Sequence, residues 1–528
     1  MKVASEAPAR AASPGDGAAT ARRGSTAPWI VAAVVFVVAA GVVLRFVTFS
    51  DLWLDEALSV NVANLPLRDI PNWLRHDGAP PLYYFMLHVW MSVFGTSDFA
   101  VRSLSGVLSV ATIPPMWFAG RRIAGRAGAW IAVLVLASSP FGIGFGTETR
   151  MYSLVMLLVV LGYLALHRLL ERPSLGRQAV VAVIAGLLLY TQYWSLYLLA
   201  VVGALLVWRA WRVHDPQARR AALAGIVALV AGGITFLPWI PTFVYQSAHT
   251  GTPWGDPIAP TASFVFSIRD FAGGEHSEAY VLLVVLAFLL VVAVFGRSID
   301  RFRLELDVRT RPGVRSETLV WVATVLLGGT ATFVTSGAFA GRYASVVYPL
   351  FALVVAYGIT VFTDTRIRVV LLIIIVAIGF GSGARRVFED RTQAAQVADV
   401  INARARPGDV VMYCPDQVGP SVSRLLRGNL RVDQLTFPNG DPPELVDWVD
   451  YKQRRRNANL HAFAASVDKQ AGNRAIWYVI ANNYRGGNEG RCEGVQQALN
   501  DIRPGARLLV EPNDDYPEFL GLLAYPRK

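Results

Sequence analysis

Two adjacent carboxylates, Asp55 and Glu56, interrupt an apolar stretch that follows the first long hydrophobic run of the chain. On a helix, neighbouring side chains point about 100° apart, so the two cannot both face one substrate atom. One acid can therefore face a reacting group while the other pairs with a cation or caps a helix. This spacing favours a single general base that deprotonates a hydroxyl, unlike the two facing carboxylates of a glycosidase. An acidic loop at a membrane surface is the alternative.

Three arginines near predicted helix ends have the chemistry to bind an anion. Arg150 lies in TETRMYS, Arg342 in AFAGRYAS and Arg102 in SDFAVRSLSG. A guanidinium donates two parallel hydrogen bonds, a geometry that suits phosphate. We therefore predict that these arginines bind a phosphate group. For each of them, a snorkelling arginine at a membrane interface is the alternative.

Polar and aromatic residues accompany the acids and arginines. Pro80 and Pro81 predict a rigid, extended entry to a short helix. His76 and Asp77 just before them could bind a metal or a hydroxyl, but His76 taken alone favours a solvated loop histidine. The predicted substrate-binding residues are His76, Tyr83, Tyr84, Glu148, Tyr152, Gln192, Tyr193 and Tyr343. No ligand spacing typical of a metal site is present, so no metal ligand is assigned, and a divalent cation near the acidic pair stays open.

The composition predicts a polytopic membrane protein. Of 528 residues, 54% are hydrophobic and only 16% are charged, whereas soluble domains have about 25% charged residues. The net charge of +11 resides largely in arginines of short loops between apolar runs, which indicates positive-inside topology and not nucleic-acid binding. Residues 1–27, rich in Ala, Gly, Pro and Ser, are predicted to be a disordered cytoplasmic tail.

The order of apolar runs predicts about eleven transmembrane helices. The run at 82–95 covers only about 21 Å as a helix, less than the roughly 30 Å bilayer core, and is predicted to be a juxtamembrane or re-entrant helix. Residues 178–210 are either two minimal spans or one long helix. The predicted spans lie near 28–48, 99–120, 127–146, 151–170, 178–194, 195–210, 221–242, 279–296, 318–336, 344–362 and 367–384. This topology places the acidic pair and the other motifs on the extracytoplasmic face.

After residue 385 the composition changes, and short apolar strands alternate with helices. This pattern predicts an α/β domain over 386–528, which the odd number of spans places outside the cytoplasm. No Gly-rich phosphate motif follows a strand, so no nucleotide site is predicted. If the strands near Cys414 and Cys492 are parallel neighbours, the two cysteines lie at the same sheet edge and form a candidate disulfide. Two unrelated buried thiols are the alternative.

Six stretches of the chain together resemble a known family. In order they are LWLDEALS, HDGAPPLYY, GTSDFAVRSLSG, GRRIAGR, GTETRMYSL and GRYASVVYP. As an ordered set they resemble GT-C membrane glycosyltransferases, in particular the protein O-mannosyltransferase and lipid A aminoarabinose transferase group. The resemblance covers about 29–385 and implies a GT-C catalytic domain over 28–385. It also implies juxtamembrane helices in the first outer loop, a polyprenyl-phosphate sugar donor and an acidic catalytic base on the outer face.

By position, Asp55 matches the acidic base of that family and Glu56 its acidic neighbour. Glu148 and Arg150, in GTETRMYSL, match a QEAR-like turn of the family. Arg342 and Tyr343, in GRYASVVYP, match a late RY pair. The chain departs from the family where many members have a basic residue before the proline pair, since HDGA stands there. That departure leaves open whether His76 or an arginine supplies the cation.

The 386–528 domain has no counterpart in the smallest family members. It resembles extra domains of envelope glycosyltransferases from mycolic-acid-bearing actinobacteria, where lipid-linked mannose and arabinose are donors. The resemblance therefore implies an inverting mannosyl- or arabinosyltransferase of cell wall biogenesis, multi-pass in the cell membrane, whose acceptor hydroxyl belongs to a lipid, a polysaccharide or a protein. A lipid-linked sugar flippase or transporter, and an envelope-assembly binding protein, are the alternatives.

Overall fold

The computed structural model of the protein describes residues 28–301, 303–308, 313–482, 484 and 490–528, and the predicted tail over 1–27 lies outside them. Helices dominate up to residue 388, and a five-stranded sheet follows. The helices of the first part are α1 Pro28–Leu44, α2 Leu54–Ala63, α3 Ile70–Asp77, α4 Leu82–Phe94, α5 Asp98–Ala111, α6 Ile113–Ala137, α7 Pro140–Gly146, α8 Tyr152–Glu171, α9 Leu175–Thr191, α10 Ser195–Arg212, α11 Pro216–Thr235, α12 Ile240–His249, α13 Pro260–Phe271, α14 Ser277–Phe295, α15 Arg315–Val334, α16 Tyr348–Val361 and α17 Thr365–Phe388.

Seven helical segments among the described residues are long and apolar enough to cross a membrane. One of them, Asp98–Ala137, is bent at Ala124 and Gly125, where Gly125 has a φ of 64°. A Cβ added to Gly120 would lie 2.6 Å from the carbonyl oxygen of Gly128, so the helical segments before and after the bend pack closely against each other. The segment of α6 after the bend and the shorter apolar helices α1, α9 and α16 lie at the remaining predicted spans. The polytopic helical architecture is therefore confirmed.

The structure decides between the two interpretations of residues 178–210. Helix α9 ends at Thr191, the chain turns through 192–194, and α10 begins at Ser195. Gly186 near the end of α9 faces Gly232 and Thr235 near the end of α11, so α9 and α11 run in the same direction. Helix α10 connects them and must run back between them. The region consists of two helices, not one.

The loop between α1 and α5, predicted to be the first outer loop, contains three helices, α2, α3 and α4. Helix α4 has 13 residues, about 20 Å, and its buried face (Tyr83, Tyr84, Leu87 and Met91) packs beside α2 and α5. The short length and the packing against α2 agree with the predicted juxtamembrane helix.

The C-terminal domain has a mixed sheet in the order β4-β3-β5-β7-β6. Strand β3 is parallel to β4 and β5, whereas β7 is antiparallel to β5 and β6. Its strands are β3 Val410–Cys414, β4 Asp433–Thr436, β5 Ile476–Ile480, β6 Arg507–Val510 and β7 Gly521–Tyr525, and its helices are α18 Ala394–Arg404, α19 Gly419–Ser423, α20 Tyr451–Asn457, α21 Leu460–Ala471 and α22 Arg491–Ile502. A two-stranded hairpin, β1 Gly296–Ser298 and β2 Leu304–Leu306, precedes α15.

Separate apolar clusters cover the two faces of the five-stranded sheet. One cluster includes side chains of α21 and α22, and the other includes side chains of α18. The structure joins Cys414, the last residue of β3, to Cys492 at the start of α22 in a disulfide. The small C-terminal sheet domain that the strand pattern predicted is therefore present.

Candidate active site beneath the C-terminal domain

Asp55 lies in the first turn of α2 and faces a partly open space. Arg342 Nη1 donates a hydrogen bond to Asp55 Oδ2 at 2.8 Å, and the Asp55 side chain is 16% exposed. Oδ1 of Asp55 receives no hydrogen bond from the described residues. An acid in the first turn of a helix also interacts favourably with the positive end of the helix dipole. The geometry thus leaves one oxygen of Asp55 available to a substrate.

Glu56, its neighbour, is completely buried. Its carboxylate accepts hydrogen bonds from Arg102 Nε at 2.8 Å and Nη2 at 2.6 Å, from the Thr149 amide at 3.0 Å and from Arg391 Nη1 at 3.3 Å. Burial by itself would raise the pKa of Glu56, but the two arginines and the Thr149 amide outweigh burial, and the pKa is lowered. The Glu56 carboxylate is thus held inside the protein by Arg102, Arg391 and the Thr149 amide, and its catalytic role stays a prediction.

Arg102, predicted to bind the donor phosphate, has partners within the protein, and its contact with a phosphate stays a prediction. Besides its bidentate pair with Glu56, Arg102 donates to the carbonyl oxygens of Ser50 at 2.6 Å and Asp51 at 3.0 Å. Its side chain is 5% exposed. The planar guanidinium is fully engaged inside the protein, where it fixes α2 against the loop that precedes it.

Arg150 and Arg342 flank Asp55 and keep unused hydrogen-bond donors. Arg150 Nη1 donates to Ser59 Oγ at 3.0 Å and to the carbonyl oxygen of Asp55 at 3.5 Å. The guanidinium of Arg342 lies 5.2 Å from the centre of the Trp254 ring. Nε of each arginine is buried and has no acceptor among the described residues. Two cations with unused donors next to a half-open carboxylate form a site suited to an anionic group.

Four of the predicted substrate-binding residues lie close to this centre. The Tyr343 ring stacks on Trp194 with 5.8 Å between ring centres. Gln192 accepts a hydrogen bond from Ser345 Oγ at 3.2 Å, while its buried Nε2 has no partner in the described ranges. Tyr152 and Glu148, the other two, are both buried. Burial raises the pKa of Glu148, because it disfavours a charged carboxylate.

Tyr83 and Tyr84 are buried on α4 and not exposed at an interface, and binding of a substrate by either residue stays a prediction. The Tyr83 hydroxyl pairs with Ser105 Oγ at 2.9 Å, and Ser105 Oγ in turn donates to the carbonyl oxygen of Arg150. The Tyr84 hydroxyl donates to Asp77 Oδ2 at 2.8 Å. Both hydroxyls are used to position other groups near the site.

His76 and Tyr193 also have roles other than the predicted contact with a substrate. His76 Nδ1 lies 3.1 Å from Asp447 Oδ1 in the C-terminal domain. The Tyr193 hydroxyl donates to Gln246 and accepts from Trp239 Nε1, and Gln246 anchors α3 through the carbonyl oxygen of Leu74. The contacts of Tyr193 and Gln246 hold α3 in place, His76 is 40% exposed, and a contact of His76 or Tyr193 with a substrate stays a prediction.

Arg391 is a site residue that sequence reasoning missed. It donates from Nη1 to the Thr147 carbonyl at 3.1 Å and from Nη2 to Thr147 Oγ1 at 2.8 Å, and its amide donates to Ser50 Oγ at 2.8 Å. With its contact to Glu56, it ties together three segments around α2. The available signal was an arginine a few residues after the last apolar run, on the face predicted to be otherwise poor in arginine.

Further contacts seat the C-terminal domain on the first outer loop. Arg424 pairs with Asp98 at 3.0 Å, Asn61 Nδ2 donates to the Glu444 carbonyl at 2.7 Å, and the Trp448 amide donates to the His76 carbonyl at 2.9 Å. The described residues contain no cluster of three or more His, Cys, Asp or Glu side chains able to hold a metal ion. A divalent cation therefore stays a prediction of the sequence.

Comparison with known proteins identifies the fold. Residues 78–240 match the family model described as dolichyl-phosphate-mannose-protein mannosyltransferase, a range that includes Arg150 but neither Asp55 nor Arg342. The crystal structure of ArnT from Cupriavidus metallidurans bound to undecaprenyl phosphate superimposes with a TM-score of 0.56 at 12% identity, covering 95% of this chain and 98% of that one. The apo state of the same protein gives 0.57 at 13% identity, covering 94% and 98%.

No curated protein sequence matches the chain significantly. The architecture nevertheless agrees over nearly the whole length of both ArnT structures, including the C-terminal region. The chain therefore shares the fold of the ArnT structures, and its residues 78–240 are similar to the mannosyltransferase family model.

Proposed function

We propose that the chain transfers a sugar from a polyprenyl-phosphate donor to an acceptor hydroxyl, with Asp55 as the general base. The observation that carries this proposal is the placement of Asp55 between Arg342 and Arg150, with one carboxylate oxygen that no described residue bonds. Glu56, by contrast, is enclosed. The similarity to a structure of ArnT bound to undecaprenyl phosphate supports a donor of this class.

In the proposed reaction, the acceptor hydroxyl gives its proton to the free oxygen of Asp55. The acceptor oxygen forms a bond to the anomeric carbon while the bond from that carbon to the phosphate oxygen breaks. The phosphate leaves with the electron pair, and the opposite-face attack inverts the anomeric centre. Arg150 and Arg342 stabilise the negative charge that develops on the leaving phosphate.

An apolar cavity supports a lipid-borne donor. It has a volume of about 750 Å³ and lies among α8, α9, α10, α11, α15 and α16. Its lining includes Leu198 near the start of α10 and Leu350 near the start of α16. Helix α16 follows the short helical segment Gly341–Val346, which contains Arg342. A hydrocarbon chain is the natural occupant of such a cavity inside a membrane domain, because both are apolar.

We further propose that the site and the C-terminal domain face the outside of the cell membrane, as the arginine distribution predicts. The disulfide between Cys414 and Cys492 fits an oxidising compartment. Mannose and arabinose are the first sugars to test, and the acceptor is a lipid, a polysaccharide or a protein.

The test uses the full chain in proteoliposomes with polyprenyl-phosphate mannose, arabinose, glucose and aminoarabinose as separate donors. Mass spectrometry follows donor consumption and the appearance of a new glycosidic bond. We expect one donor to be consumed with release of polyprenyl phosphate. Movement of a donor across the bilayer without a new bond would instead support the flippase alternative, and binding without either would support the assembly protein.

A further inference from the structure

The apolar cavity of about 750 Å³ ends in a polar rim on the side away from the Asp55 site. Its lining follows α10 from Leu198 to Val213, a stretch about 22 Å long because a helix rises about 1.5 Å per residue. Trp194, directly before α10, stacks on Tyr343, so α10 begins at the Asp55 side and ends away from it. The polar lining residues at the far end are Tyr163, His167, Arg209, Arg315, Ser316 and Glu317.

The two arginines of this rim lie at the same depth, on packed helices that run in opposite directions. A Cβ added to Gly328, in the second half of α15, would lie 2.7 Å from the Trp194 ring, so the later part of α15 lies beside the start of α10. Arg209 follows Trp194 by 15 residues, and Arg315 precedes Gly328 by 13 residues. These intervals correspond to about 22 Å and about 20 Å of helix. The end of α10 and the start of α15 therefore bring Arg209 and Arg315 to one rim.

Neither rim arginine has a partner within the described part of the chain. Arg209 and Arg315 are exposed, and neither guanidinium forms a hydrogen bond or an ion pair with a described residue. A guanidinium donates parallel hydrogen bonds that match the oxygens of a phosphate. The rim therefore has two sets of unused donors for an anionic group.

Glu317, the carboxylate among the lining residues, is already hydrogen-bonded. Its Oε1 accepts from the Tyr163 hydroxyl at 2.8 Å, and its Oε2 accepts from Ser316 Oγ at 2.9 Å. His167 Nε2 lies 3.9 Å from Oε1, and the Glu317 side chain is 5% exposed. Glu317 thus connects the first turn of α15 to α8, and the exposed part of the rim belongs to the arginines.

The charges at this end of the cavity favour an anion. The two rim arginines carry two positive charges against the one negative charge of Glu317, and protonation of His167 would add a third positive charge. Two charged neighbours outside the lining, Arg122 on α6 and Glu171 on α8, pair with each other and leave this balance unchanged. The balance is therefore positive whether His167 is protonated or neutral.

The apolar interior behind the rim requires an apolar tail on the same ligand. The proposed donor has its phosphate at Arg150 and Arg342 on the opposite side, so its chain would offer no charge to the rim. We propose that the cavity binds a second lipid, an anionic glycerophospholipid, with its phosphate between Arg209 and Arg315 and an acyl chain in the interior. Basic pockets between membrane helices on the cytoplasmic side bind anionic head groups, and the predicted topology places the rim on that side. This inference goes beyond the proposed function, and the donor chain would enter the cavity from the Leu198 end.

Native mass spectrometry of the delipidated full chain in detergent tests this inference. The probes are phosphatidylglycerol and phosphatidylcholine with identical oleoyl chains, because only phosphatidylglycerol carries a net negative charge. We expect wild type to bind one phosphatidylglycerol, and to bind it more tightly than phosphatidylcholine. Arg209→Gln and Arg315→Gln should each weaken phosphatidylglycerol binding by roughly 10- to 100-fold, the usual range for hydrogen bonds to a charged group. The double variant should lose the preference for phosphatidylglycerol.

A phosphatidylglycerol with a photoreactive group in its acyl chain locates the bound lipid. Crosslinks should fall on lining residues of the apolar interior, such as Val202 and Leu205. Val202→Trp fills part of the interior and should reduce both crosslinking and affinity. Arg212→Gln is the matched control, because Arg212 is an exposed arginine of the same last turn of α10 that stacks on Trp211 and lies outside the cavity lining. This variant should bind phosphatidylglycerol like wild type.

Unchanged phosphatidylglycerol affinity in the double arginine variant would overturn the inference. An equal loss in Arg212→Gln would also overturn it, because surface charge alone would then explain binding, and so would crosslinks confined to residues outside the cavity. Undecaprenyl phosphate is the third probe: if the rim arginines bind it more tightly than phosphatidylglycerol, the phospholipid assignment is wrong. Because binding is measured without a sugar donor, a failure of sugar transfer would refute only the proposed function.

Discussion

Arg342 Nη1 lies 2.8 Å from Asp55 Oδ2, although the two residues are 287 positions apart in the chain. The contact joins the short helical segment before α16 to the first turn of α2. It orients the carboxylate that faces the open space and places a second cation, with its unused donors, at the same point. The proposed base and the proposed leaving-group stabiliser thus come from opposite ends of the helical part of the chain.

Replacing Asp55 by Asn should lower the rate of sugar transfer by roughly 10²- to 10⁴-fold, the usual contribution of a positioned base. Donor binding and protein yield should persist, because Asn retains the shape of the side chain. Turnover in proteoliposomes and a donor-dependent thermal shift measure the two effects. Asp69→Asn, an exposed acid of the same loop, is the control. Near wild-type turnover of Asp55→Asn would exclude the proposed mechanism.

Replacing Glu56 by Gln should instead lower stability. Removing one partner of a buried ion pair costs about 3–5 kcal/mol, and Arg102 and Arg391 would lose their shared acceptor. We expect a lower Tm and a lower yield of monodisperse protein in detergent. A variant that keeps its wild-type Tm but has no transfer activity would show that Glu56 acts in the chemistry.

Replacing Arg391 by Met should loosen the segments that hold α2 and reduce kcat. The lost charged hydrogen bonds correspond to about 1.5–3 kcal/mol of stability. Arg424→Met is the control, because Arg424 joins the same two domains through Asp98 but does not touch α2 or Thr147. Equal losses in both variants would mean that domain docking in general, and not the contact with Glu56, supports activity.

Glu518 should make stability depend on pH. It is buried in the C-terminal domain, and Tyr484 and Ser421 donate to its Oε1. Burial raises the pKa of Glu518 from 4.5 to about 7, since the nearby hydroxyl groups offset only part of the cost of the charge. The folded state therefore binds the proton more tightly than the unfolded state. The stabilisation is complete below pH 4.5 and is lost as the pH rises through about 7.

In a thermal melt from pH 4.5 to 8, wild-type Tm should fall across this window. Glu518→Gln keeps a neutral side chain at every pH, so its Tm should fall less and should exceed that of wild type at pH 8. Parallel curves for the two proteins would rule out Glu518 as the source of the dependence.

The disulfide should appear as a mobility difference between non-reducing and reducing gels. Cys414→Ser and Cys492→Ser, alone or together, should abolish that difference and destabilise the C-terminal domain by about 2–5 kcal/mol. The double variant controls for effects of a single free thiol. A mobility difference that survives in the double variant would exclude this bridge as its cause.

The sequence by itself determined the membrane architecture, because the length and apolarity of a helix are local properties. Hydropathy located the spans, and the short length of α4 marked it as a juxtamembrane helix. Strand and helix patterns located the C-terminal sheet domain. The predicted topology also placed Asp55, Arg150 and Arg342 on one face of the membrane, and in the structure they lie close together.

Only the tertiary structure decided which of two neighbouring acids is available to a substrate. Asp55 and Glu56 have the same chemistry and are adjacent on one helix, so nothing local distinguishes them. Glu56 is enclosed because Arg102 and Arg391, from distant parts of the chain, meet at its carboxylate. The structure also gives His76, Tyr83 and Tyr193 hydrogen-bonding partners that are remote in sequence and that no local pattern predicted. Burial and pairing depend on these long-range contacts, and those contacts exist only in the folded chain.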